Sequence, residues 1–352
     1  MSQSRIQRLR AQTSGDTCIL VSSSTNIRYL CGYSGSNGLL LIAAESAYFF
    51  TDSRYALQCA QECFDVEVVI APSDLLSAAL DHLKSDCLAI EANNLTVAMR
   101  DRILTKRPEL KVELTYGLVE KFRVVKDLNE LKAIRVACEI STAALESLVT
   151  FLRPGVTERE VARQLEQLML QFGAEDKAFS SIVATGSNTA IPHHQPTSRV
   201  LKVGDLLKID FGAKLNGYHS DCTRMFVLGQ PSEWQRDLHS LVRECHELAR
   251  TRLHAGVLAS EVDAVARDFM SSRNKGHLFT HGLGHGVGLE IHEDPFFSSQ
   301  PATTIEQSTV VTIEPGAYVA NQGGVRIEDT VVITEVGYEN LTNFTYDFVT
   351  IS

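Results

Sequence analysis

The sequence predicts two domains, an α/β domain at the N-terminus followed by a larger α+β domain. The chain has 352 residues, which exceeds the usual size of one hydrophobic core. Its first third alternates short apolar runs with stretches of helical spacing. The remainder places carboxylates on strand-like runs that follow long helical stretches. We therefore expect one domain at residues 1–122 and a second at residues 123–352.

The N-terminal domain is predicted as alternating strands and helices. Strand-like apolar runs cover residues 17–22, 38–44, 47–51 and 66–71. Helical spacing covers residues 53–64 and 75–85, with Ser53 as the expected N-cap of the first helix and Ser73 or Asp74 as that of the second. A further strand and helix follow in "DCLAIEA" and "TVAMRDRILTKRP". This element count predicts a small α/β domain of about 120 residues.

Long amphipathic stretches predict the helices of the second domain. Asp127 is placed to cap a helix over residues 128–151. A second helix spans residues 157–173, with Thr157 and Glu160 as its capping box. Two further helical stretches cover residues 232–253 and the segment that begins near Ser260.

A tight hairpin is predicted at Asn216-Gly217, because this dipeptide favours the two-residue turns that join antiparallel strands. The arms would be "DLLKIDFGAKL" and "YHSDCTRMFVL". This pairing places Asp210 and Asp221 on neighbouring strands.

A second strand pair carries two glutamates. Glu314 lies in "VVTIE" and Glu328 in "GVRIEDTVVI", with a glycine-containing turn at residues 321–324 between them. The domain therefore divides into two helix-then-hairpin halves, near residues 125–230 and 231–352, and each half offers a pair of carboxylates. The two halves share a layout rather than a detectable sequence repeat.

Composition excludes several classes of protein. The net charge of −10 argues against non-specific nucleic-acid binding, which needs a basic surface. No run of about 18 apolar residues is present to span a membrane, and the polar N-terminus lacks the apolar core of a secretory signal. Eight cysteines fit a reducing compartment better than a disulfide framework, and Cys59 and Cys63 are interpreted as small apolar side chains. We expect a cytoplasmic protein.

Five residues of the second domain have the composition of a two-metal site: Asp210, Asp221, His285, Glu314 and Glu328. A single carboxylate is usually a solvated surface charge. Asp210 and Glu314, however, lie within apolar runs that predict burial, and buried like charges need compensation. Two divalent cations would balance the four carboxylates. Oxygen ligands with one imidazole suit manganese, cobalt or zinc, and two such ions activate water as a nucleophile.

Histidines and glycines alternate in "THGLGHGVGLEIHEDP". His281 and His285 are four residues apart, but the interleaved glycines make a helix improbable and favour extended chain. His292 follows seven residues after His285. We favour one of these histidines as a metal ligand and the other two as groups that assist the reaction.

Further candidates flank the ligands. His193 lies in a loop after a proline and is assigned a functional role, which its neighbour His194 supports less well. Arg326 precedes Glu328 by two residues and so shares its strand face. It would orient a carboxylate ligand or bind a substrate carboxylate, with a structural ion pair as the alternative. Tyr218 and Thr223 are candidate hydrogen-bond donors near the second aspartate, or packing residues alone.

The five ligand-bearing segments resemble the pita-bread metallopeptidases, which include methionine aminopeptidase, aminopeptidase P, prolidase and the non-metal relative creatinase. The resemblance extends over residues 125–352. "SDCTR", "HGLGHGVGLEIHE" and "GGVRIEDT" are similar to the proline-specific branch, as are "NIRYLCGYSGSNG" and "FFTDSRY" in the N-terminal domain. In that family the equivalents of the five residues bind two metal ions, usually manganese, cobalt or zinc. The resemblance also matches four active-site residues, His193, His281, His292 and Arg326.

This resemblance implies a cytoplasmic, homodimeric metallopeptidase that acts on proline-containing peptides and contains two divalent ions, with manganese preferred. We expect Glu314 to transfer the proton, His292 and His281 to stabilise the developing negative charge, and His193 to contact the substrate. An Xaa-Pro aminopeptidase resembling aminopeptidase P is the preferred function. Prolidase, an Xaa-Pro dipeptidase, is the alternative, and a metal-free binding module or a creatinase-like hydrolase is the more remote one.

Overall fold

The computed structural model describes residues 3–13, 16–299 and 303–351, which fall into two units, Met1–Arg123 and Val124–Ser352. Within these described residues, no helix combines the length and the apolar character needed to cross a bilayer. These units describe how the structure divides into compact parts. The two domains expected at residues 1–122 and 123–352 stay a prediction.

The N-terminal unit contains one six-stranded sheet. Its strands are β1 Cys18–Val21, β2 Leu39–Ile42, β3 Ala47–Thr51, β4 Glu67–Ile70, β5 Cys87–Glu91 and β6 Lys111–Thr115. Its helices are α1 Arg5–Arg10, α2 Ser24–Cys31, α3 Ala56–Glu62, α4 Leu75–His82, α5 Val97–Lys106 and α6 Glu120–Arg123. The strand order is β4-β3-β2-β1-β5-β6. The β3–β4, β1–β5 and β5–β6 pairs are parallel, and the two hairpin pairs between them are antiparallel.

The apolar runs form this sheet because their side chains pack against helices. Leu20, Phe50 and Ile90 are buried in one core with Leu80 of α4 and Ile103 of α5. The predicted strands are present, and the predicted α/β class is confirmed.

One predicted N-cap of this unit is wrong. The helix expected over residues 53–64 begins with a 3₁₀ turn at Ser53–Tyr55, and the cap of that turn is Asp52 rather than Ser53. Asp74 does cap α4. The carboxylate of Asp52 accepts the Arg54 amide, which is the donor two residues after the cap that an N-cap side chain satisfies.

The second unit contains four long helices and the strands that carry the site. The helices are α7 Leu128–Leu148, α8 Glu158–Gln171, α9 Glu233–Arg250 and α10 Ala259–Ser272. The strands are β7 Asp176–Lys177, β8 Ile182–Thr185, β9 Leu206–Phe211, β10 Ala213–Leu215, β11 Tyr218–His219, β12 Cys222–Leu228, β13 Gly284–Gly286, β14 Glu293–Phe297, β15 Val310–Ile313, β16 Gly316–Val319, β17 Gly323–Arg326, β18 Asp329–Ile333, β19 Tyr338–Asn340 and β20 Val349–Ile351. Short 3₁₀ turns lie at Gly186–Ala190 and Gly276–Leu278.

Two helix pairs cover two groups of strands, which confirms the predicted pair of halves. In the first half, Leu165 of α8 shares a core with Ile209 of β9 and Phe226 of β12. In the second half, Val242 of α9 shares another core with Val311 of β15. The sheet orders are β20-β12-β9-β8 and β14-β13-β15-β18-β19.

Strand β20 departs from the predicted division. It comes from the end of the chain but pairs in parallel with β12 of the first half, with Phe226 opposite Val349. The prediction of two separate halves missed this exchange because a parallel partner needs no turn signal beside it in the sequence.

Local sequence signals determine several element ends. Asp127 caps α7 and forms a capping box with Glu130, and Thr157 does the same for α8. Asn216 and Gly217 have φ angles of 49° and 77°, as the predicted two-residue turn requires. Helix α7 ends at Leu148, three residues before the predicted end.

Candidate active site

The first hairpin positions two aspartates beside each other. Asp210 lies on β9 directly opposite Thr223 of β12, and Asp221 immediately precedes β12. Both carboxylates are buried. Thr330 fixes the backbone at Asp221, because its hydroxyl donates to the Asp221 carbonyl at 2.7 Å and accepts the Asp221 amide at 3.2 Å.

The second half brings the remaining predicted ligands to the same place. His285 is the central residue of β13, Glu314 follows β15, and Glu328 lies between β17 and β18. An isolated backbone bridge joins Glu328 to Thr223. The Thr223 hydroxyl also donates to the Glu328 carboxylate at 2.6 Å, so this predicted donor acts on a glutamate of the other half.

All five predicted ligands line one cavity of about 300 Å³. The other lining residues are Phe179, Ser180, Ile182, His193, Gln195, Ile291, His292 and Arg326. The cavity therefore has an acidic floor, three apolar side chains and two histidines that are not among the predicted ligands.

Hydrogen bonding fixes the tautomer of His285. Its Nδ1 lies 3.1 Å from the Gly286 carbonyl oxygen, so Nδ1 carries the hydrogen and Nε2 presents a lone pair. That lone pair faces carboxylate oxygens, with Nε2 at 3.7 Å from Asp221 Oδ2 and 3.5 Å from Glu314 Oε1. Burial lowers the pKa of His285 to about 4, which favours the neutral imidazole. A lone pair directed at carboxylates fits a site built for a cation.

The carboxylates are short of positive charge. Burial, reinforced by the neighbouring carboxylates, raises the pKa of Asp221 and of Glu328 well above the usual range. Burial also raises the pKa of Glu314 to about 8, although Arg326 opposes the shift. Among the described residues, the Oδ1 atoms of Asp210 and Asp221 have no hydrogen-bond partner. Unpartnered oxygens and a free imidazole nitrogen are the donor set that a divalent metal requires.

Three of the predicted ligands form a compact group. One donor atom each from Asp221, His285 and Glu328 lies within 4.8 Å of the other two. The residues present thus fit bound divalent ions, with the other two carboxylates at the same cavity.

Four hydrogen bonds hold Arg326 within the site. Its guanidinium donates to the Asp210 carboxylate, to the Thr223 hydroxyl at 3.1 Å and to the Tyr318 hydroxyl at 2.9 Å. It also donates to the Pro192 carbonyl at 3.2 Å. Orientation of a carboxylate ligand is therefore the predicted role that the geometry favours. The prediction that two divalent cations balance the four carboxylates did not include the positive charge of Arg326.

Tyr318 is a site residue that the sequence analysis missed. Its hydroxyl lies 2.9 Å from His281 Nε2, whereas His281 Nδ1 lies 2.8 Å from the Gly282 carbonyl oxygen. Nδ1 therefore carries the hydrogen, and Tyr318 donates to Nε2 while it accepts from Arg326. His281 does not line the cavity and reaches it through this chain of hydrogen bonds. The strand "PGAYV" beside a predicted ligand was the available signal.

The remaining predicted histidines lie at the edge of the cavity. His193 and His292 are exposed and line it, and the His292 ring centroid is 4.3 Å from that of His285. His194 is buried with its Nε2 at 2.9 Å from a Glu158 carboxylate oxygen. The predicted donor Tyr218 instead donates to Glu130 at 2.8 Å.

Replacing Gly284 by alanine should displace His285 and weaken metal binding. A Cβ at this position would lie 2.0 Å from the Thr312 carbonyl oxygen of the adjacent strand, so the two strands must separate. Isothermal titration calorimetry with manganese should show metal binding at least tenfold weaker than in the wild type. Changing a group that orients a metal ligand typically lowers metal affinity by about 10- to 100-fold.

Gly337→Ala is the matched control, because the nearest atom to its added Cβ is 3.9 Å away. Equal manganese affinity in the two variants would contradict the role of the close strand contact.

Comparison with known proteins agrees with this geometry. Metallopeptidase family M24 matches residues 132–335, and the creatinase/prolidase N-terminal domain matches residues 5–125. The resemblance to pita-bread metallopeptidases is thereby confirmed, as is the predicted combination of an N-terminal α/β domain with an α+β catalytic domain.

Similar proteins cover more than nine tenths of the chain. An Xaa-Pro dipeptidase of Pyrococcus horikoshii is 36% identical over 326 residues, which are 92% of this chain and 92% of that protein. The solved structure of an Xaa-Pro dipeptidase from Bacillus anthracis has a TM-score of 0.95 at 34% identity and covers 98% of this chain and 99% of that one. That of an X-Pro aminopeptidase from Thermotoga maritima has a TM-score of 0.92 at 35% identity and covers 99% and 100%.

Proposed function

Because the chain belongs to metallopeptidase family M24, we propose that it hydrolyses Xaa-Pro dipeptides and releases proline. The observation that carries the proposal is that a neutral imidazole and four carboxylates meet at one cavity of about 300 Å³. This volume lies at the small end of the range for ligand sites and suits a dipeptide. Relatives named Xaa-Pro dipeptidase support the same substrate. They favour this alternative over the aminopeptidase preferred from the sequence.

The second candidate is an Xaa-Pro aminopeptidase that accepts longer peptides. The likeness to the X-Pro aminopeptidase from Thermotoga maritima favours it. A metal-free binding module or a creatinase-like hydrolase is disfavoured, because all five donor residues are present at one cavity.

Asp210, Asp221, His285, Glu314 and Glu328 would hold two divalent cations, with manganese preferred and cobalt or zinc as alternatives. When bound, such ions polarise a carbonyl group and lower the pKa of water. The homodimer implied by the family resemblance is part of the same proposal.

The side chains divide the work of peptide hydrolysis. Glu314 takes a proton from the water that attacks the scissile carbonyl carbon and delivers it to the proline nitrogen as the C–N bond breaks. His292 donates a hydrogen bond to the carbonyl oxygen as that atom gains negative charge. His193 contacts the substrate at the cavity edge. His281 and Tyr318 act on the reaction indirectly, because their hydrogen bonds orient Arg326 and through it Asp210.

Removing the metal and comparing two peptide lengths tests the proposal. We expect no hydrolysis of Ala-Pro after chelation, and recovery on adding manganese, because the carboxylate cluster needs cations to bind and polarise substrate. We also expect a kcat/KM for Ala-Pro at least tenfold above that for Ala-Pro-Ala. Both rates come from measuring the released amino acids.

Full activity after chelation would exclude a reaction that depends on bound metal. A higher kcat/KM for the tripeptide would establish the aminopeptidase instead. Elemental analysis of the purified protein identifies the ion independently of activity.

A further inference from the structure

One loop that lies outside the sheets carries two of the cavity-lining side chains. We call residues 186–197 the His193 loop. It begins with the 3₁₀ turn at Gly186–Ala190 and includes His193 and Gln195, which both line the cavity. Residues 191–197 belong to no strand or helix. Side chains from outside the loop must therefore determine its conformation.

A buried lysine holds the middle of this loop. Lys208 of β9 is fully buried, and its Nζ donates to three backbone carbonyls, those of Thr189 at 3.3 Å, Ile191 at 2.8 Å and Pro192 at 3.2 Å. Three acceptors use all three hydrogens of an ammonium group. Nζ also lies 5.2 Å from the centroid of the Tyr318 ring, a favourable cation–π distance. The loop carbonyls thus replace the water that this cation loses on burial.

A buried glutamate holds both ends of the loop. Glu158 is the first residue of α8, and its side chain is fully buried. One carboxylate oxygen accepts the Thr185 amide and the Asn188 side chain, both at 2.8 Å. The other accepts His194 Nε2 at 2.9 Å, the Thr197 amide at 2.8 Å and the Thr197 hydroxyl at 2.6 Å. These five hydrogen bonds hold the beginning and the end of the loop at one carboxylate.

Lys208 and Glu158, which we call the two anchors, leave one residue of the loop between their contacts. Lys208 binds the carbonyls up to Pro192, and Glu158 binds the side chain of His194. His193, between these two contacts, is exposed at the cavity. Neither anchor lines the cavity, so neither is placed to touch a substrate.

We propose that Lys208 and Glu158 are positioning residues for substrate binding, which fix the His193 loop so that His193 and Gln195 meet the peptide. The inference rests on the proposed peptidase function and on the contact between His193 and substrate. It adds a buried lysine and a buried glutamate whose hydrogen bonds act on the reaction through the loop.

A double-mutant cycle on the metal-loaded full chain tests the proposal. We expect Lys208→Met and Glu158→Gln each to lower kcat/KM for Ala-Pro by about 10- to 100-fold, chiefly through KM, because misplacement by about 1 Å has effects of this size. We expect a similar loss for His193→Ala. Each anchor variant combined with His193→Ala should lose less than the product of the two single losses, since the part of each anchor's effect that acts through His193 is already absent.

Val242→Ala is the control for lost stability, because Val242 is buried in the other half and lies outside the cavity lining. Its kcat/KM should stay within about twofold of the wild type. Independent, multiplying effects of an anchor variant and His193→Ala would overturn the proposal, as would an unchanged kcat/KM in both anchor variants. If Lys208→Met does not fold, Glu158→Gln and Thr197→Val, which deletes one donor to Glu158, decide the question alone.

Hydrogen exchange separates this proposal from the proposed function. In Lys208→Met the amides of residues 186–197 should exchange faster than in the wild type, whereas those of β12 should not. A wild-type protein that hydrolyses no Xaa-Pro peptide would refute the proposed function, and the exchange rates would still test the anchors. Unchanged exchange in the loop would overturn the anchoring itself.

Discussion

Replacing Glu314 by glutamine should lower kcat for an Xaa-Pro dipeptide by about 10³-fold or more, because a positioned proton carrier alone contributes about 10² to 10⁴. The amide of glutamine cannot take the proton of the attacking water. It is also a weaker donor to a divalent ion than the carboxylate oxygen that lies 3.5 Å from His285 Nε2. We therefore expect lower metal content as well. Steady-state kinetics and elemental analysis on the same preparation measure both effects.

Glu335→Gln is the matched control, since Glu335 is exposed and lies outside the cavity lining. It should keep wild-type kcat and metal content. A Glu314→Gln protein that retains kcat would remove Glu314 from both roles. A protein with full metal content and no turnover would assign it to proton transfer alone.

Replacing Arg224 by methionine should destabilise the second unit by about 3–5 kcal/mol, the usual cost of removing one partner from a buried ion pair. Arg224 and Asp329 are both buried, and the guanidinium donates to the Asp329 carboxylate at 2.7 Å. The same guanidinium donates to four backbone carbonyls, those of Thr223, Glu328, Thr342 and Phe344. The variant leaves a buried carboxylate without this cation. For a unit of this size, Tm should fall by about 10 °C.

The change is best measured by thermal unfolding of the metal-free protein, so that bound ions do not alter Tm. Arg273→Met provides the comparison, because Arg273 and Glu244 form an exposed pair, and such pairs contribute about 0–1 kcal/mol. Equal Tm values for the two variants would show that the buried pair contributes no more than a surface one.

The metal-ligand candidates were predictable because each lies in a local pattern. The turn at Asn216-Gly217 determines how the first pair of strands meets. Apolar neighbours predict burial of Asp210 and Glu314, of which Asp210 is buried and Glu314 is half-buried. These signals extend over a few residues, so they can be recognised without knowledge of the tertiary structure.

Contacts between distant segments could not be predicted in the same way. Lys208 in "LLKIDF" has the pattern of a solvated charge on a strand, and only the folded chain shows three loop carbonyls at its ammonium group. The roles of Tyr318 and Glu158 likewise depend on distant hydrogen-bond partners. His281 is 37 residues from Tyr318, and His194 is 36 residues from Glu158. The pairing of β20 with β12 depends on the last residues of the chain returning to the first half. A sequence pattern carries no signal for such long-range choices.

Thr223 shows how closely the candidate ligand cluster depends on both halves. It belongs to the first half, yet its hydroxyl donates to Glu328 and accepts from Arg326 of the second. The candidate ligands are divided in the same way, so divalent ions would bind only where the two halves are assembled. Their binding free energy then adds to the free energy of unfolding. A chain synthesised when such ions are scarce is the less stable form, and its faster proteolysis would couple the amount of this protein in a cell to the supply of metal.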